Sequence, residues 1–289
     1  MITSADYETL RRILLENSGN SLGDGKEYLV DRRLAPVAAS LGLENVAQLV
    51  NLLRISADRH VVKLVCAAMT TNESLFFRDG KPFQLLKDEI LPRLMEQRRA
   101  TRKIRIWSAA ASTGQEAYSI AMTVREMPQL TGWNVEIVGT DYSPEVVERA
   151  KKGIFNHFEV QRGLPVTHLV KYFSQDEDGW QVNQQIRDSI TFREGNLLEP
   201  FQHLGPFDLV YCRNVLIYFS QDGKRDVLER LARVMSDDGF LFLGSSETAL
   251  GLTTNLSTVQ WAGTTLFQRK DLPDAPGAVA AAGATRVSA

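Results

Sequence analysis

The sequence predicts an α/β fold in which a small helical module precedes a doubly wound parallel sheet. Three observations carry that expectation. Apolar residues recur at helical spacing through the first 70 or so residues, short apolar runs alternate with amphipathic stretches from residue 104, and the alternation breaks between residues 153 and 190. The length of 289 residues suits two domains or one large one, and 44% hydrophobic with 24% charged residues is the composition of a folded chain.

Taken in order, Tyr7, Leu10 and Leu14 share a helical face that Ser18-Gly19-Asn20 ends. Gly25 to Leu41 reads as a second helix, which Pro36 should kink or divide. Val46, Leu49, Val50 and Leu53 mark a third, and Phe83, Leu86, Ile90 and Leu94 one side of a helix from Lys81 to Gln97. Strands at Ile104–Trp107, Val135–Gly139, Phe207–Cys212 and Gly239–Gly244 then alternate with helices at Gly114–Glu126, Pro144–Lys152 and Arg225–Met235, a βαβ period that implies parallel pairing. Between Gly153 and Ile190 a Pro165-led helix, a polar turn from Ser174 to Gly179 and the alternating Trp180 to Asn183 indicate an inserted hairpin subdomain. Ile190 to Arg193 returns to strand, Thr264 to Gln268 is the last strand, and the Pro-, Ala- and Gly-rich 271–289 segment is expected to be disordered. The domain limits that follow are 1–78 for the helical domain, 79–270 for the sheet domain with its insertion at 153–189, and 271–289 for the tail.

Several function classes are excluded early. With 33 basic and 35 acidic residues the formal charge is −2, which gives no general attraction to nucleic acid or anionic lipid. Cys66 and Cys212 are far apart in apolar runs, so neither a disulfide framework nor a CxxC metal site is expected, and His60, His157, His168 and His203 have no metal or triad spacing. The opening residues have no secretory pattern and no stretch approaches the ~18 apolar residues of a membrane span, so a cytoplasmic protein is expected. Arg54, Arg59, His60 and Lys63 read first as a solvated helix surface and second as a docking face for an acidic partner.

Ligands of open parallel sheets lie beyond the carboxyl ends of the strands, and three such ends are unusual. Ser108 to Glu116 is a run of small residues leading into a helix, without GxGxxG and with a carboxylate that would repel phosphate; Glu116 suits a cationic ligand group or the helix dipole equally. Asp141, at the tip of the second strand, suits ribose hydroxyls better than an N-cap role, because Ser143 and Pro144 already begin the next helix. Arg213, Asn214 and Tyr218 follow a buried strand, and Gly195-Asn196-Leu197 supplies another amide at the same edge. Adenosine joined to a charged amino-acid end, with no phosphate, describes S-adenosylmethionine.

At this point the motifs match a family. NESLFFRD at residues 72–79, WSAAASTGQEAYSIAM at 107–122, GTDYS at 139–143, the Asn196-Leu197 pair and YCRNVLIYF at 211–219 resemble, in that order, the motifs of the CheR-type chemotaxis receptor methyltransferases, over about residues 5 to 270. The resemblance implies a Rossmann-like class I S-adenosylmethionine-dependent methyltransferase with an all-α N-terminal domain and an inserted small antiparallel β-subdomain. It implies an O-methyltransferase that forms glutamate methyl esters on the cytoplasmic helical bundle of methyl-accepting chemotaxis receptors and so serves sensory adaptation. Carried over by motif, the cofactor contacts are Asn72, Ser74, Arg78, Glu116, Asp141, Asn196, Leu197, Arg213 and Asn214, with Tyr218 beside the reacting methyl and Arg78 pairing with either the methionine carboxylate or the incoming glutamate; no metal is expected, and S-adenosylhomocysteine is a product that inhibits in the same pocket. The expected enzyme is a monomer recruited to membrane receptor arrays, without nucleic acid and without membrane insertion.

Three departures qualify the match. Gln115 stands where the family usually has a first glutamate, which mildly favours the alternative of a catalytically silent receptor-binding or S-adenosylmethionine-sensing module. The turn from Ser174 to Gly179 looks shorter and more acidic than in members that grip a receptor pentapeptide, so no pentapeptide tether is expected. Ala35, Ala38 and Ala39 replace basic residues, so docking is expected to lean on Arg32 and Arg33. A nucleic-acid amino-methyltransferase would need an Asn/Asp-Pro-Pro-aromatic motif where this chain has Asn214-Val215-Leu216-Ile217.

Overall fold

The computed structural model describes residues 2–270 apart from 57 and 178, so the tail expected at 271–289 lies outside the described residues. Four helices open the chain: α1 (Ser4–Ser18), α2 (Glu27–Ser40), α3 (Val46–Ile55) and α4 (Arg59–Met69). Thr3 and Asp6 form a reciprocal capping box at the start of α1, and Gly19, at φ 73°, ends it in the left-handed conformation. Tyr7, Leu10 and Leu14 of α1 meet Leu34 of α2, Leu49 and Val50 of α3 and Val65 of α4 in one core. Contrary to expectation, α2 is not divided at Pro36. Pro36 and Arg32 are both exposed, so the Arg32 carbonyl that loses its helical partner can be hydrated instead.

The next helical stretch is also not uniform: α5 (Lys81–Leu85) and α6 (Leu91–Gln97) are joined by a π-helical turn at Leu86–Ile90. Pro92, which lacks an N–H, stands two residues after that turn. Then come β1 (Lys103–Ala109), α7 (Gln115–Arg125), β2 (Asn134–Asp141) and α8 (Pro144–Lys152). The insertion contains β3 (Ile154–Phe155), α9 (His157–Gln161), α10 (Val166–Tyr172), β4 (Phe173–Asp176), β5 (Gly179–Val182) and α11 (Gln184–Arg187). The chain returns through β6 (Ile190–Glu194), β7 (Phe207–Cys212), α12 (Gln221–Val234), β8 (Met235–Leu243), β9 (Leu256–Trp261) and β10 (Thr264–Arg269).

The main sheet has the order β6-β2-β1-β7-β8-β10-β9, and β3-β5-β4 form a separate antiparallel sheet. Its first five strands pair in parallel, as the βαβ alternation requires. At the opposite edge the pairing turns antiparallel: β10 runs antiparallel to β8 and β9 antiparallel to β10. Leu209 and Tyr211 of β7 belong to one core and Val210 and Cys212 to the other, so helices cover both faces. The small sheet is fastened by Phe76, whose ring meets Phe155 at 4.9 Å and Phe173 at 5.6 Å, and by Glu126, which accepts from Lys171 at 2.8 Å and from the Tyr172 hydroxyl.

Several carboxylates are held below their ordinary range: Asp238 by Arg98, Glu126 by Lys171, Glu136 by Lys103, and Asp6 first by the Thr3 amide. A depressed folded-state pKa gives stability that is present above the unfolded value, about pH 4, and is lost as pH falls through the folded value. Burial raises Asp141 and acts in the opposite sense. With four groups against one, the melting temperature should fall as pH drops from about 5 to 3; a flat thermal-scan profile over that window would contradict the assignment.

Candidate active site

The carboxyl ends of β1, β2, β6 and β7 open into one cleft with about 960 Å³ of empty space, counted to its open mouth. Asn72, Ser74, Arg78, Glu116, Asp141, Asn196, Leu197, Arg213, Asn214 and Tyr218 all line it. Ser18 and Asn20, from the turn after α1, complete the wall and were not among the expected residues.

At the floor lies Arg213, whose side chain is 1% exposed. Its Nη1 donates to Glu116 Oε2 at 3.0 Å, and its Nη2 to the Arg78 carbonyl at 2.9 Å and to Asp79 Oδ2 at 2.6 Å. Glu116 also accepts from the Ser108 hydroxyl at 2.8 Å. Arg213 Nε is buried with no acceptor among the described residues. Asp141 accepts from the amides of Ser112 at 2.8 Å and Ser143 at 3.1 Å, and its burial pushes the carboxyl up from its ordinary range. Ser143 itself is the N-cap of α8, so Asp141 stands just before the helix. Ala110, Ser112 and Asn214 hold left-handed φ values of 60°, 52° and 59°, a concentration of backbone strain on the cleft wall.

The remaining expected residues differ in how far they are already engaged. Asn196 Nδ2 donates to the Asn17 carbonyl at 2.8 Å and its Oδ1 accepts from Leu198 N at 3.0 Å, so this side chain braces the cleft against α1. Asn72 Oδ1 accepts from the Thr70 hydroxyl, and its carbonyl from the Ser112 hydroxyl. Leu197 is buried in the core beneath. Ser74, Arg78 and Tyr218 make no side-chain hydrogen bond or ion pair among the described residues. Gln115, the departure noted above, is buried and bonded to Thr113 outside the cleft wall. Arg33 donates to the carbonyls of Met69 and Thr70, both at 2.8 Å, and so clamps the linker beside the cleft.

One functional residue escaped the sequence reading. Glu247 accepts from the amides of Asn214 at 2.6 Å and Gly244 at 2.7 Å through Oε2, and from Ile217 at 3.2 Å through Oε1. It fixes the loop that carries Arg213 to Tyr218. Gly244 leaves it room, since a Cβ there would sit 2.6 Å from Glu247 Oε2 and 2.7 Å from Asn214 Nδ2. A carboxylate four residues beyond the end of β8 was the available signal.

Comparison with known proteins places this cleft in a class. A family model described as "CheR methyltransferase, SAM binding domain" matches residues 72–264, and one described as "CheR methyltransferase, all-alpha domain" matches residues 5–70. The chain is 40% identical over 274 residues to the "Chemotaxis protein methyltransferase 1" of Pseudomonas aeruginosa, covering 92% of this chain and 98% of the relative. It is 38% identical to the protein of the same name from Vibrio cholerae, covering 90% and 94%, and 34% identical to the "Chemotaxis protein methyltransferase" of Escherichia coli, covering 85% of each. The chain belongs to the CheR methyltransferase family, and its two parts are that family's all-α and S-adenosylmethionine-binding domains.

Loss of the three amide bonds to Glu247 frees a loop that the cleft needs in one conformation. Glu247→Ala should weaken S-adenosylhomocysteine binding about tenfold, the equivalent of about 1.4 kcal/mol, and lower the melting temperature. Calorimetry giving an unchanged dissociation constant would remove Glu247 from the site.

Proposed function

We propose that this chain transfers the methyl group of S-adenosylmethionine to glutamate side chains on the cytoplasmic helical bundle of methyl-accepting chemotaxis receptors, forming methyl esters. The relatives' names support the chemotactic setting. The observation that carries the reading is the buried pair at the cleft floor. A guanidinium with one unused N–H beside a carboxylate is the complement of an amino-acid zwitterion, and a buried Asp141 at the far end suits ribose hydroxyls.

When bound, S-adenosylmethionine supplies an electrophilic methyl group on a sulfonium sulfur. The acceptor glutamate, with an ordinary pKa of about 4.3, is over ~99% ionised at pH 7, so no residue need remove a proton. A cation and an anion neutralise each other as the bond forms, and hydration of both opposes the reaction. The residues therefore contribute in-line orientation, which can supply about 7–11 kcal/mol in favourable cases, and exclusion of water. Arg213 and Glu116 hold the amino-acid end, Asp141 the ribose, and Asn72, Ser74, Asn196, Leu197 and Asn214 shape the walls between them. Arg78, which has no ion pair among the described residues, is left to orient the incoming carboxylate, and Tyr218 donates its hydroxyl to the acceptor oxygen while its ring borders the methyl. The enzyme works as a monomer, and without a pentapeptide tether because the sequence from Ser174 to Gly179 is short and acidic.

Incubation with labelled S-adenosylmethionine and receptor-containing membranes, followed by mild base, should release labelled methanol, because a carboxyl ester is labile where N- and S-methyl groups are not. Base-stable label would exclude glutamate esters. Tyr218→Phe should lower turnover with little change in cofactor affinity, and Asp141→Ala should weaken cofactor binding at least tenfold. Equal turnover in the first, or an unchanged calorimetric constant in the second, overturns that residue's role.

A further inference from the structure

We propose that the turn after α1, residues Ser18 to Ser21 of the all-α domain, is a positioning element for Tyr218, so that the reacting end of the cleft is built across the domain boundary. The inference rests on the reading of Tyr218 given above and extends it to residues that no motif marks.

Tyr218 has no side-chain hydrogen bond among the described residues, so its backbone and packing alone fix where its hydroxyl lies. The backbone is held from outside the sheet domain. Ser21 N donates to the Tyr218 carbonyl at 2.7 Å, and Asn20 forms an antiparallel bridge with Phe219. Gly19 is buried at φ 73°, and a Cβ on it would lie 2.2 Å from Cε1, 2.6 Å from Cδ1 and 2.9 Å from Cζ of the Phe219 ring. That contact is far below any tolerable separation. Phe219 is 7% exposed and packed in the core that also holds Leu216 and Val227, so displacing its ring disturbs both that core and the cleft wall it lines.

The turn is in turn anchored on its own side. Asn20 Nδ2 donates to the Met69 carbonyl at 3.0 Å, the same carbonyl that Arg33 grips, and the Asn17 carbonyl accepts from Asn196 Nδ2 at 2.8 Å. One short segment therefore reaches Asn196 on one wall and Tyr218 on the other, and Ser18 and Asn20 line the cleft between them. Glycine is required at 19 both by its φ and by the ring against it.

The decisive variant is Gly19→Ala in the full chain. Turnover per folded molecule should fall at least tenfold, while S-adenosylhomocysteine affinity stays within threefold, because Asp141, Glu116 and Arg213 are untouched. Phe219→Leu removes most of the obstructing ring, so Gly19→Ala with Phe219→Leu should turn over within threefold of Phe219→Leu alone. A readout independent of transfer comes from 3-fluorotyrosine incorporation: the Tyr218 fluorine resonance, assigned with Tyr218→Phe, should shift in Gly19→Ala. A glycine with a merely structural role lowers the melting temperature and leaves turnover per folded molecule and that resonance where they were, and this outcome overturns the proposal. Should Gly19→Ala not fold, Asn20→Ala cuts only the tether to Met69; a shifted or broadened resonance there supports the proposal and an unmoved one overturns it. If the wild-type chain transfers no methyl group, the functional reading fails, and the resonance still decides the positioning.

Discussion

A buried guanidinium at the end of the central sheet is the constraint on which the cleft depends. Taking the Arg213 charge out of water is unfavourable unless partners surround it, and they come from three places: Glu116 at the start of α7, Asp79 on the linker and the carbonyl of Arg78. These segments lie about 100 or more residues from Arg213 in sequence. The bonds from Arg213 to the Arg78 carbonyl and to Asp79 therefore pin the linker that carries Asn72, Ser74 and Arg78 against the sheet. The left-handed backbone at Asp79, φ 68°, is a strain that only a strong local bond makes tolerable.

The polar residues of the cleft divide into two groups on that basis. Arg213, Glu116, Asp141 and Asn196 are bonded to the protein itself before any ligand arrives. Ser74, Arg78 and Tyr218 are not. A reaction that consumes two opposite charges gains from walls that are already arranged, because water need not be reorganised as charge disappears. The unengaged groups, to which the Asn214 side chain also belongs, are left free to meet whatever enters the cleft.

The legible part of the fold was the part with a strong period. Helical spacing revealed α1 and α3, and the buried runs of β1, β2 and β7 revealed the sheet, because those strands are covered on both faces. Edge strand β9 was missed: in Leu256-Ser-Thr-Val-Gln-Trp only Leu256 is buried, which leaves little apolar signal. Pro36 misled for the opposite reason, since its penalty is a lost hydrogen bond that water can replace on an exposed face. The expected cleft residues stand at strand ends or in family motifs, and all of them line one cavity. The turn after α1 acts through backbone groups that leave no signature in side-chain pattern, and the one signal for Glu247 was a lone carboxylate beyond β8, whose three partners are backbone amides.

Contacts between the all-α domain and the sheet domain bear on how a partner's binding reaches the chemistry. Tyr142, the residue after Asp141, packs against the core of the all-α domain that also holds Cys66. The Asp141 end of the cleft is thereby wedged into the helical domain, just as the Asn20–Phe219 bridge ties the other end to it. Transmission of a signal between sites requires an element with two arrangements of similar energy. Close-packed contacts of this kind resist graded displacement. The two parts of the chain are therefore coupled as bodies in direct contact at both ends of the cleft, at Tyr142 and at the Asn20–Phe219 bridge.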